Sequence, residues 1–383
     1  MFRLRDEVAQ NPASLDFYAG EVACAFNDVA TCEEKFKKVT AAEPNSMVAA
    51  GGHHILAYAL LREGRFARAL HELDALLAID PKDPDANDTR PFFEALSHFP
   101  DQTVQENSAG KATVHMRDGR LPLLINGKKA FYFIDTGANL STLTESEALR
   151  LGMEIKDVNA TGGSTDINGN RVLLRVARAK SVALGGIALN NVAFLVTSND
   201  QPPFADMKTG ERGLIGLPVL IALGSIKWTR KGTFEVDRSP RPANIAAANL
   251  CFDDLSLIVE ASFDQHALPF ALDTGATTTD LWARFADVAA DLINKSGTRE
   301  SHTVTGLGGS QRFDTASIPK VTLLLGGRTV TLQPAHILAA EQKSEAKWLY
   351  GNLGMDLLDQ AQTVAIDFGT MILALDPGPP HAN

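Results

Sequence analysis

A short pattern occurs twice in this chain, and it constrains the fold more than any other feature. Residues 132–138 read YFIDTGA, and residues 270–276 read FALDTGA. In each copy an apolar run typical of a β-strand is followed by an aspartate, a threonine, a glycine and an alanine. A single Asp-Thr-Gly would be weak evidence, because aspartate and glycine are common in ordinary turns. Two copies in matched surroundings are strong evidence of a shared structural role.

The surroundings of the two copies match at a constant spacing. Asp273 lies 138 positions after Asp135, and Gly354 lies 138 positions after Gly216 within a second glycine-centred element. Hydroxyl side chains also stand at equivalent positions after the two aspartates, and these are Ser141 and Thr279. Equal offsets at separate landmarks predict a duplicated structural unit.

The composition is that of a folded protein with more than one domain. The chain has 383 residues, of which 45% are hydrophobic and 21% charged, so it can bury cores in about two or three domains. The formal net charge is −10 and no long basic run occurs, so we expect no nucleic-acid partner. No stretch reaches the roughly 18 uninterrupted apolar residues that suggest a membrane span, so we expect none.

The cysteines bear on the compartment. Cys24 and Cys32 flank a predicted turn between two helices, where a disulfide and two buried thiols are equally compatible with the sequence. Cys251 has no evident partner, and metal-ligand spacing is absent from the sequence. Residues 1–7 lack the apolar run of a secretory signal, which favours the cytoplasm. Because a disulfide needs an oxidising compartment, we expect a periplasmic or secreted protein whose signal peptide has been removed, with the cytoplasm as the alternative.

Residues 13–100 are predicted to form a helical domain. Residues 64–81 carry apolar side chains at helical spacing between a glycine turn and a terminating proline, and a weaker copy ends at Pro44. The pattern resembles tetratricopeptide repeats, in which antiparallel helices interlock. Residues 90–99 are expected to form a capping helix. Two repeats are fewer than the roughly three of an independent solenoid, so we expect the domain to dock on the rest of the chain.

The sequence pattern of the rest of the chain predicts β-strands. Asp118-Gly119 and Asn126-Gly127 separate short apolar runs, and such dipeptides are strong signals of hairpin turns. Thr144 and Glu147 predict a capping box that opens a short helix. The predicted domains are a helical domain (13–100), a linker (101–111), a first lobe (112–237), an inter-lobe linker (238–249) and a second lobe (250–376).

Two aspartates on two related lobes can be brought face to face by a pseudo-two-fold axis. When two carboxyl groups lie so close together, ionisation of both is energetically unfavourable. The pair therefore holds one proton over a wide pH range. The ionised member can accept a proton from a water molecule, while the protonated member donates to a carbonyl oxygen. This arrangement allows amide hydrolysis without a metal or a covalent intermediate.

The chain resembles a retropepsin-like aspartic protease with both halves fused in one polypeptide, as in pepsin-type enzymes. The resemblance covers roughly residues 112–376 and rests on the Asp-Thr-Gly-Ala motif and the later glycine element, each present twice. It implies an all-β bilobal acid-protease fold preceded by an all-α helical-hairpin region, and a catalytic dyad of Asp135 and Asp273. The residues implied to support the dyad are Thr136, Gly137, Ala138, Thr274, Gly275 and Ala276. The residues implied to form flaps over the substrate are Thr161, Gly162, Gly163, Thr305, Gly306, Leu307 and Gly308.

The chain departs from the family pattern in two places. Asn352 stands in the second glycine element where an apolar residue is expected. Neither predicted flap carries the tyrosine typical of pepsin-type enzymes, which points to the two-flapped retroviral arrangement and leaves the flap contacts open.

The resemblance implies an aspartic endopeptidase that binds an extended polypeptide. We expect no cofactor and no metal, and we expect a monomer because one chain supplies both acids. The alternative is a catalytically silent peptide-binding protein on the same fold, with the helical region as a partner-binding module. That region could instead stabilise the lobes, which is somewhat favoured, or cover the cleft as an inhibitory segment. Motifs of zinc proteases, phosphate loops and serine hydrolases are absent from the sequence.

Overall fold

The protein has an N-terminal helical region followed by two β-rich lobes, as the predicted fold class requires. The structure is a computed structural model, and it describes residues 1–10, 15–158, 164–165, 171–172, 174–241, 245–306, 309–338 and 345–376. Within these residues, no helix is both long enough and apolar enough to cross a membrane.

The helical region consists of short connected helices packed as hairpins. They are α1 (Phe2–Gln10), α2 (Asp16–Ala25), α3 (Val29–Ala42), α4 (Met47–Arg62), α5 (Phe66–Ile79) and α6 (Pro84–Ser97). The buried ring of Phe36 on α3 packs where glycines on the neighbouring helices leave room for it. A Cβ atom on Gly52 would lie 2.8 Å from this ring, and one on Gly20 would lie 3.2 Å from it. Small residues on α2 and α4 therefore allow the close packing of these three helices.

The helical region packs against both lobes. The buried guanidinium of Arg62 donates to the main-chain oxygen of Asp254 in lobe 2 and, at 2.8 Å, to that of Cys24. It also stacks 4.3 Å from the ring centroid of Phe252. On the other side, Gln102 follows α6, and its N–H donates to the carbonyl oxygen of Gly64 between α4 and α5 at 3.0 Å. Its side-chain amide donates to the carbonyl oxygen of Pro218 in lobe 1 at 2.8 Å. Buried polar groups thus tie the region to each lobe, which gives a short helical array the packing partner it needs.

In its described part, lobe 1 has thirteen strands and two α-helices. The first strands are β1 (Thr103–Val104), β2 (Lys111–His115), β3 (Leu121–Ile125), β4 (Lys128–Ile134), β5 (Ser141–Thr144), β6 (Ile155–Asp157), β7 (Ser164–Thr165) and β8 (Arg171–Val172). The later strands are β9 (Arg175–Leu184), β10 (Ile187–Thr197), β11 (Gly213–Ile215), β12 (Ser225–Thr229) and β13 (Thr233–Asp237). The helices are α7 (Glu145–Arg150) and α8 (Leu217–Leu223). The strand β1 lies within the segment that the sequence assigned to a linker.

Lobe 2 repeats this plan. Its strands are β14 (Leu250–Asp253), β15 (Ser256–Phe263), β16 (His266–Leu272), β17 (Asp280–Leu281), β18 (Thr298–Gly306), β19 (Gly309–Ile318), β20 (Val321–Leu325), β21 (Arg328–Leu332), β22 (Ala335–Leu338), β23 (Gly351–Leu353), β24 (Thr363–Asp367) and β25 (Ile372–Leu375). Its helices are α9 (Phe285–Val288), α10 (Ala290–Ser296) and α11 (Met355–Leu358).

Each lobe has its own large sheet, and a third sheet joins the lobes. The eight-stranded sheet of lobe 1 has the order β1-β10-β5-β11-β4-β3-β9-β6, and β9 also pairs with β10. The sheet of lobe 2 has the order β18-β19-β22-β17-β23-β16-β15-β20-β21, and β14 pairs with β15. The joining sheet has the order β2-β13-β12-β24-β25, so strands from both lobes contribute to it.

The register of the joining sheet locates the pseudo-two-fold axis. The strands β12 and β24 are antiparallel neighbours, and Lys227 pairs with Ala365. Ala365 is the residue 138 positions after Lys227, so this residue pairs with its own counterpart in the other lobe. An antiparallel pair with that register has a local two-fold axis between the two residues. The duplication seen in the sequence is therefore a spatial symmetry of the two lobes.

Candidate active site

The two aspartates occupy equivalent positions at the ends of equivalent strands. In lobe 1, β11 is parallel to β4 and antiparallel to β5, and in lobe 2, β23 is parallel to β16 and antiparallel to β17. Asp135 follows β4, and its N–H donates to the carbonyl oxygen of Ile215 at 2.9 Å. Asp273 follows β16, and its N–H donates to the carbonyl oxygen of Leu353 at 3.0 Å. The neighbouring strand thus fixes the backbone of each aspartate in the same way.

A glycine after that neighbouring strand closes each loop. The N–H of Gly216 donates to Ser141 Oγ at 3.1 Å, and the N–H of Gly354 donates to Thr279 Oγ1 at 2.9 Å. These acceptors are the paired hydroxyls that the sequence places after the two aspartates. A Cβ atom on Gly216 would lie 2.5 Å from a main-chain atom of its neighbouring loop, and one on Gly354 would lie 2.7 Å away. No larger residue fits at either position unless the backbone moves.

The threonines that follow the aspartates join the two lobes. The N–H of Thr136 donates to the hydroxyl oxygen of Thr274 at 3.0 Å, and the N–H of Thr274 donates to that of Thr136 at the same distance. The hydroxyl of Thr136 then donates to the carbonyl oxygen of Leu272 at 2.7 Å, and that of Thr274 donates to Ile134 at 3.1 Å. Both threonines are buried, so these hydrogen bonds are shielded from water.

The carboxylates of Asp135 and Asp273 meet across the axis. The N–H of Gly137 donates to Asp135 Oδ1 at 2.8 Å, and the N–H groups of Gly275 and Ala276 donate to Asp273 Oδ1 at 2.9 and 3.0 Å. A Cβ atom on Gly275 would lie 2.5 Å from Cγ of Asp135, and one on Gly137 would lie 2.7 Å from Cγ of Asp273. Each carboxylate therefore lies against the glycine of the opposite lobe, in space that only a glycine leaves free.

The surroundings of Asp135 favour its protonated form. Burial, followed by the negative charge of Asp273, raises the pKa of Asp135 to about 7. The two carboxyl groups are also close enough to share a hydrogen bond. In contrast, Asp273 is only partly buried. The pair therefore holds one proton at mildly acidic pH, which is the state that general acid–base hydrolysis requires.

Asn352 is a site residue whose contact the sequence did not reveal. Its amide Nδ2 donates to Asp273 Oδ2 at 3.0 Å. The sequence marked this position only as a departure from the family pattern. The available signal was its place in β23, the strand that runs parallel to the one delivering Asp273.

The predicted flaps are described in part. Thr161, Gly162 and Gly163 lie outside the described residues, as do Leu307 and Gly308. The backbone of Thr305 and Gly306 ends β18, which pairs with β19 along the whole of a long hairpin. The last described pair of that hairpin is Gly306–Gly309.

The cysteines lie outside the candidate site. Cys24 and Cys32 are joined by a disulfide between α2 and α3, with their Cα atoms 5.1 Å apart. Cys251 is a buried free thiol. Across the described ranges, no group of three or more His, Cys, Asp or Glu side chains is arranged to hold a metal ion.

Comparison with known proteins found a similarity over part of lobe 1. A family model described as aspartyl protease matches residues 121–219. Among solved structures, the chain is similar to a retropepsin-like aspartic protease from Rickettsia conorii, with 16% sequence identity and a TM-score of 0.24. That similarity covers 36% of this chain and 94% of the Rickettsia chain. No match was found among curated proteins.

The β-rich part of the protein has a retropepsin-like fold. The family match covers the first aspartate and the first glycine element, and the strand register carries the same arrangement into lobe 2. In each lobe an aspartate follows a strand whose parallel neighbour is itself followed by a glycine, and the lobes meet at a pseudo-two-fold axis. The chain is thus a bilobal protein of aspartyl-protease fold with a helical region ahead of the lobes.

Proposed function

We propose that the protein is an aspartic endopeptidase that hydrolyses peptide bonds through Asp135 and Asp273. The observation that carries this proposal is the mutual placement of the two carboxylates, each lying against the glycine of the other lobe and each accepting backbone N–H groups. The family match over residues 121–219 supports the same reaction. The buried threonine hydrogen bonds keep the two acids in position.

The reaction balances with one proton held by the dyad. The ionised carboxylate accepts a proton from a water molecule between the acids, and the water oxygen bonds to the carbonyl carbon of the peptide. The protonated carboxyl group gives its proton to the carbonyl oxygen, which leaves a neutral gem-diol. One diol proton then returns to the dyad while the other acid protonates the nitrogen, and the C–N bond breaks. The products are a carboxylic acid and an amine, and the dyad again holds one proton.

The substrate is proposed to be a polypeptide held in an extended conformation. The long β18–β19 hairpin of lobe 2 supports this, because a hairpin arm can pair with a peptide as with an added strand. Alternate side chains of the peptide would then enter pockets on the two sides of the cleft. Two lobes of different sequence allow these pockets to differ.

The test is a peptide-library digest read by mass spectrometry between pH 4 and pH 7, with and without a pepstatin-type inhibitor. We expect inhibitor-sensitive cleavage that is lost in Asp135→Asn and in Asp273→Asn. Asp264→Asn is the matched control, because Asp264 is exposed in a hairpin turn with φ of 45°, a conformation that asparagine also tolerates. It should cleave as the native protein does.

The rival function is a silent peptide-binding protein on the same fold. Native protein that binds library peptides at every pH tested but leaves them intact would favour this rival. Cleavage that persists in both dyad variants would instead point to a contaminating protease.

We further propose that the helical region is a tetratricopeptide-like array that stabilises the lobes. The contacts of Arg62 and Gln102 with opposite lobes support this role. The oxidising compartment, periplasmic or extracellular, is also a proposal, and the disulfide between Cys24 and Cys32 supports it. Thiol labelling of acid-quenched cells would test the compartment, since labelling of both cysteines would favour the cytoplasm.

A further inference from the structure

The two carboxylates receive different hydrogen-bond donors, although the lobes are built alike. Both accept backbone N–H groups from their own loops. Asp273 Oδ2 also accepts from Nδ2 of Asn352 at 3.0 Å. The amide presents its nitrogen, a donor, to this oxygen. Asp135 has no such side-chain donor among the described residues.

The residue equivalent to Asn352 in lobe 1 is Leu214. Each is the central residue of its three-residue strand, Asn352 in β23 and Leu214 in β11. Each pairs in parallel with the residue two positions before the aspartate, which is Ala271 in lobe 2 and Phe133 in lobe 1. The same place in the fold therefore carries an amide bonded to Asp273 in lobe 2 and a hydrocarbon side chain in lobe 1.

We propose that Asn352 decides which acid of the dyad carries the proton, so that Asp273 is the ionised member and Asp135 the protonated one. A hydrogen bond donated to a carboxylate favours its charged form, and among the described residues Asn352 provides such a side-chain donor for Asp273 and not for Asp135. On the proposed function, Asp273 is then the base that accepts the proton of water, and Asp135 is the acid that protonates the carbonyl oxygen. Asn352 is a positioning residue, because it acts through Asp273.

The environment of Asp135 agrees with this assignment. Asp135 is only 9% exposed, and Ala138 in the same loop forms an apolar cluster with Phe204 and Leu214. This burial is the first cause of the raised pKa of Asp135. An apolar setting penalises the charged form, so it favours the proton on this side of the axis.

Other acids near the loop of lobe 2 have partners of their own. Asp356 on α11 accepts the N–H and the hydroxyl of Thr279 at 3.1 and 2.6 Å. Asp280 on β17 lies 3.2 Å from Nε2 of His302. Asp135, on the opposite lobe, is therefore the titratable group that competes with Asp273 for the shared proton.

The experiment is a titration of the aspartate carboxyl carbons by ¹³C NMR on the intact protein, with signals assigned through Asp135→Asn and Asp273→Asn. At pH 5 we expect the Asp273 carbon at the carboxylate position and the Asp135 carbon at the carboxylic-acid position. In Asn352→Leu, which installs the residue of lobe 1, the titration midpoint of Asp273 should rise by about one pH unit. The lower limb of any pH–rate profile should move up with it.

The double variant Leu214→Asn, Asn352→Leu separates donation from packing. It moves the amide to the other acid, so the proton should shift toward Asp273 and the Asp135 midpoint should fall. If the double variant does not fold, the single variant still decides. An unchanged Asp273 midpoint in Asn352→Leu, or a native dyad with the proton on Asp273, would overturn the inference. The catalytic roles of the two acids depend on the proposed function, but the titration does not. Failure of the proposed function can therefore be distinguished from failure of the inference about Asn352.

Discussion

Thr136 and Thr274 exchange hydrogen bonds across the two lobes, with the N–H of each donating to the hydroxyl of the other at 3.0 Å. Because each hydroxyl also donates to a main-chain oxygen of the opposite lobe, one threonine side chain supports several buried polar groups at once. Each aspartate of the pair directly precedes one of these threonines in the chain, so this contact fixes the positions of both acids.

The first prediction concerns these hydroxyls. Thr274→Ala leaves the N–H of Thr136 and the carbonyl oxygen of Ile134 without their partners, and each unsatisfied buried group costs about 1–3 kcal/mol. We expect a loss of roughly that size or more in the free energy of unfolding, measured in urea, together with loss of cleavage. Thr274→Ser keeps the hydroxyl and should retain most of both. Native stability in the alanine variant would contradict the prediction.

The second prediction follows from the pKa of Asp135. An unfolded aspartate titrates near about 3.9, whereas the pKa of Asp135 in the folded protein is about 7. A group whose pKa is higher in the folded state stabilises the fold. This stabilisation is complete at pH values below the pKa of the unfolded aspartate, and it is lost as the pH rises to 7. The variant Asp135→Asn has no carboxyl group to titrate here. Its free energy of unfolding, relative to that of the native protein, should therefore rise by roughly 2–4 kcal/mol between pH 4 and pH 8.

The measurement for this second prediction is the free energy of unfolding of both proteins at the two pH values. The difference between the proteins cancels the groups that titrate equally in each. In Asp264→Asn, at an exposed turn, the difference from the native protein should stay constant with pH. A constant difference in Asp135→Asn as well would show that Asp135 titrates normally.

The third prediction concerns the closure of the loop in lobe 1. In Gly216→Ala the new Cβ would lie 2.5 Å from the carbonyl carbon of Leu140 and 2.7 Å from the carbonyl oxygen of Ala138. Main-chain atoms cannot move aside as a flexible side chain can, so we expect a loss of about 3 kcal/mol or more in unfolding free energy. Gly110→Ala is the control, because a Cβ there has no neighbour within 4 Å. Equal melting temperatures for the two variants would refute the packing argument.

The fourth prediction concerns the disulfide. Reduction of Cys24–Cys32, or the double change to alanine, should lower the free energy of unfolding by about 2–3 kcal/mol, because a short closed loop is released in the unfolded chain. The native protein should release a single reactive thiol on unfolding without reductant, that of Cys251. Three reactive thiols under those conditions would show that the bridge is absent.

The duplicated parts of the fold were predictable because they repeat. Two Asp-Thr-Gly copies with equal offsets to Gly216 and Gly354 indicate paired loops, and the sequence also marked the hydroxyls that close them. Each of these contacts is either local or related to its twin by the axis, so one copy predicts the other. The helical region was likewise visible, since its apolar residues recur at helical spacing.

Contacts between unlike segments were not predictable. The sequence assigned a capping box to Thr144 and Glu147, and the helix does begin after Thr144, but that side chain makes no capping hydrogen bond. Glu147 instead turns inward and accepts from the hydroxyl of Tyr132 at 3.1 Å and from Arg150 at 2.6 Å. Arg150 lies three positions after Glu147 on the same helix, but Tyr132 lies on β4, and no local pattern in the sequence predicts that contact.

The last helix of the N-terminal region shows the same limit at a boundary. The sequence placed a helix over residues 90–99, whereas α6 begins at Pro84. Asp83 accepts from the N–H of Ala86 at 2.8 Å, and proline is well suited to the first turn. A second proline, Pro91, lies inside the helix, where its missing N–H and its ring disfavour helical structure. Packing against α5 outweighs that local penalty.

Asn352 has no equivalent asparagine in lobe 1, because the two halves of the site are encoded by different parts of one chain. In an assembly of two identical chains, every side chain at the centre would occur twice, and a peptide threaded backwards would meet the same groups in the same order. Here the carbonyl of a reversed peptide would face the other acid. If the protein binds peptides as proposed, it can thus distinguish the direction of the peptide through this one amide, before any difference in pocket shape is counted.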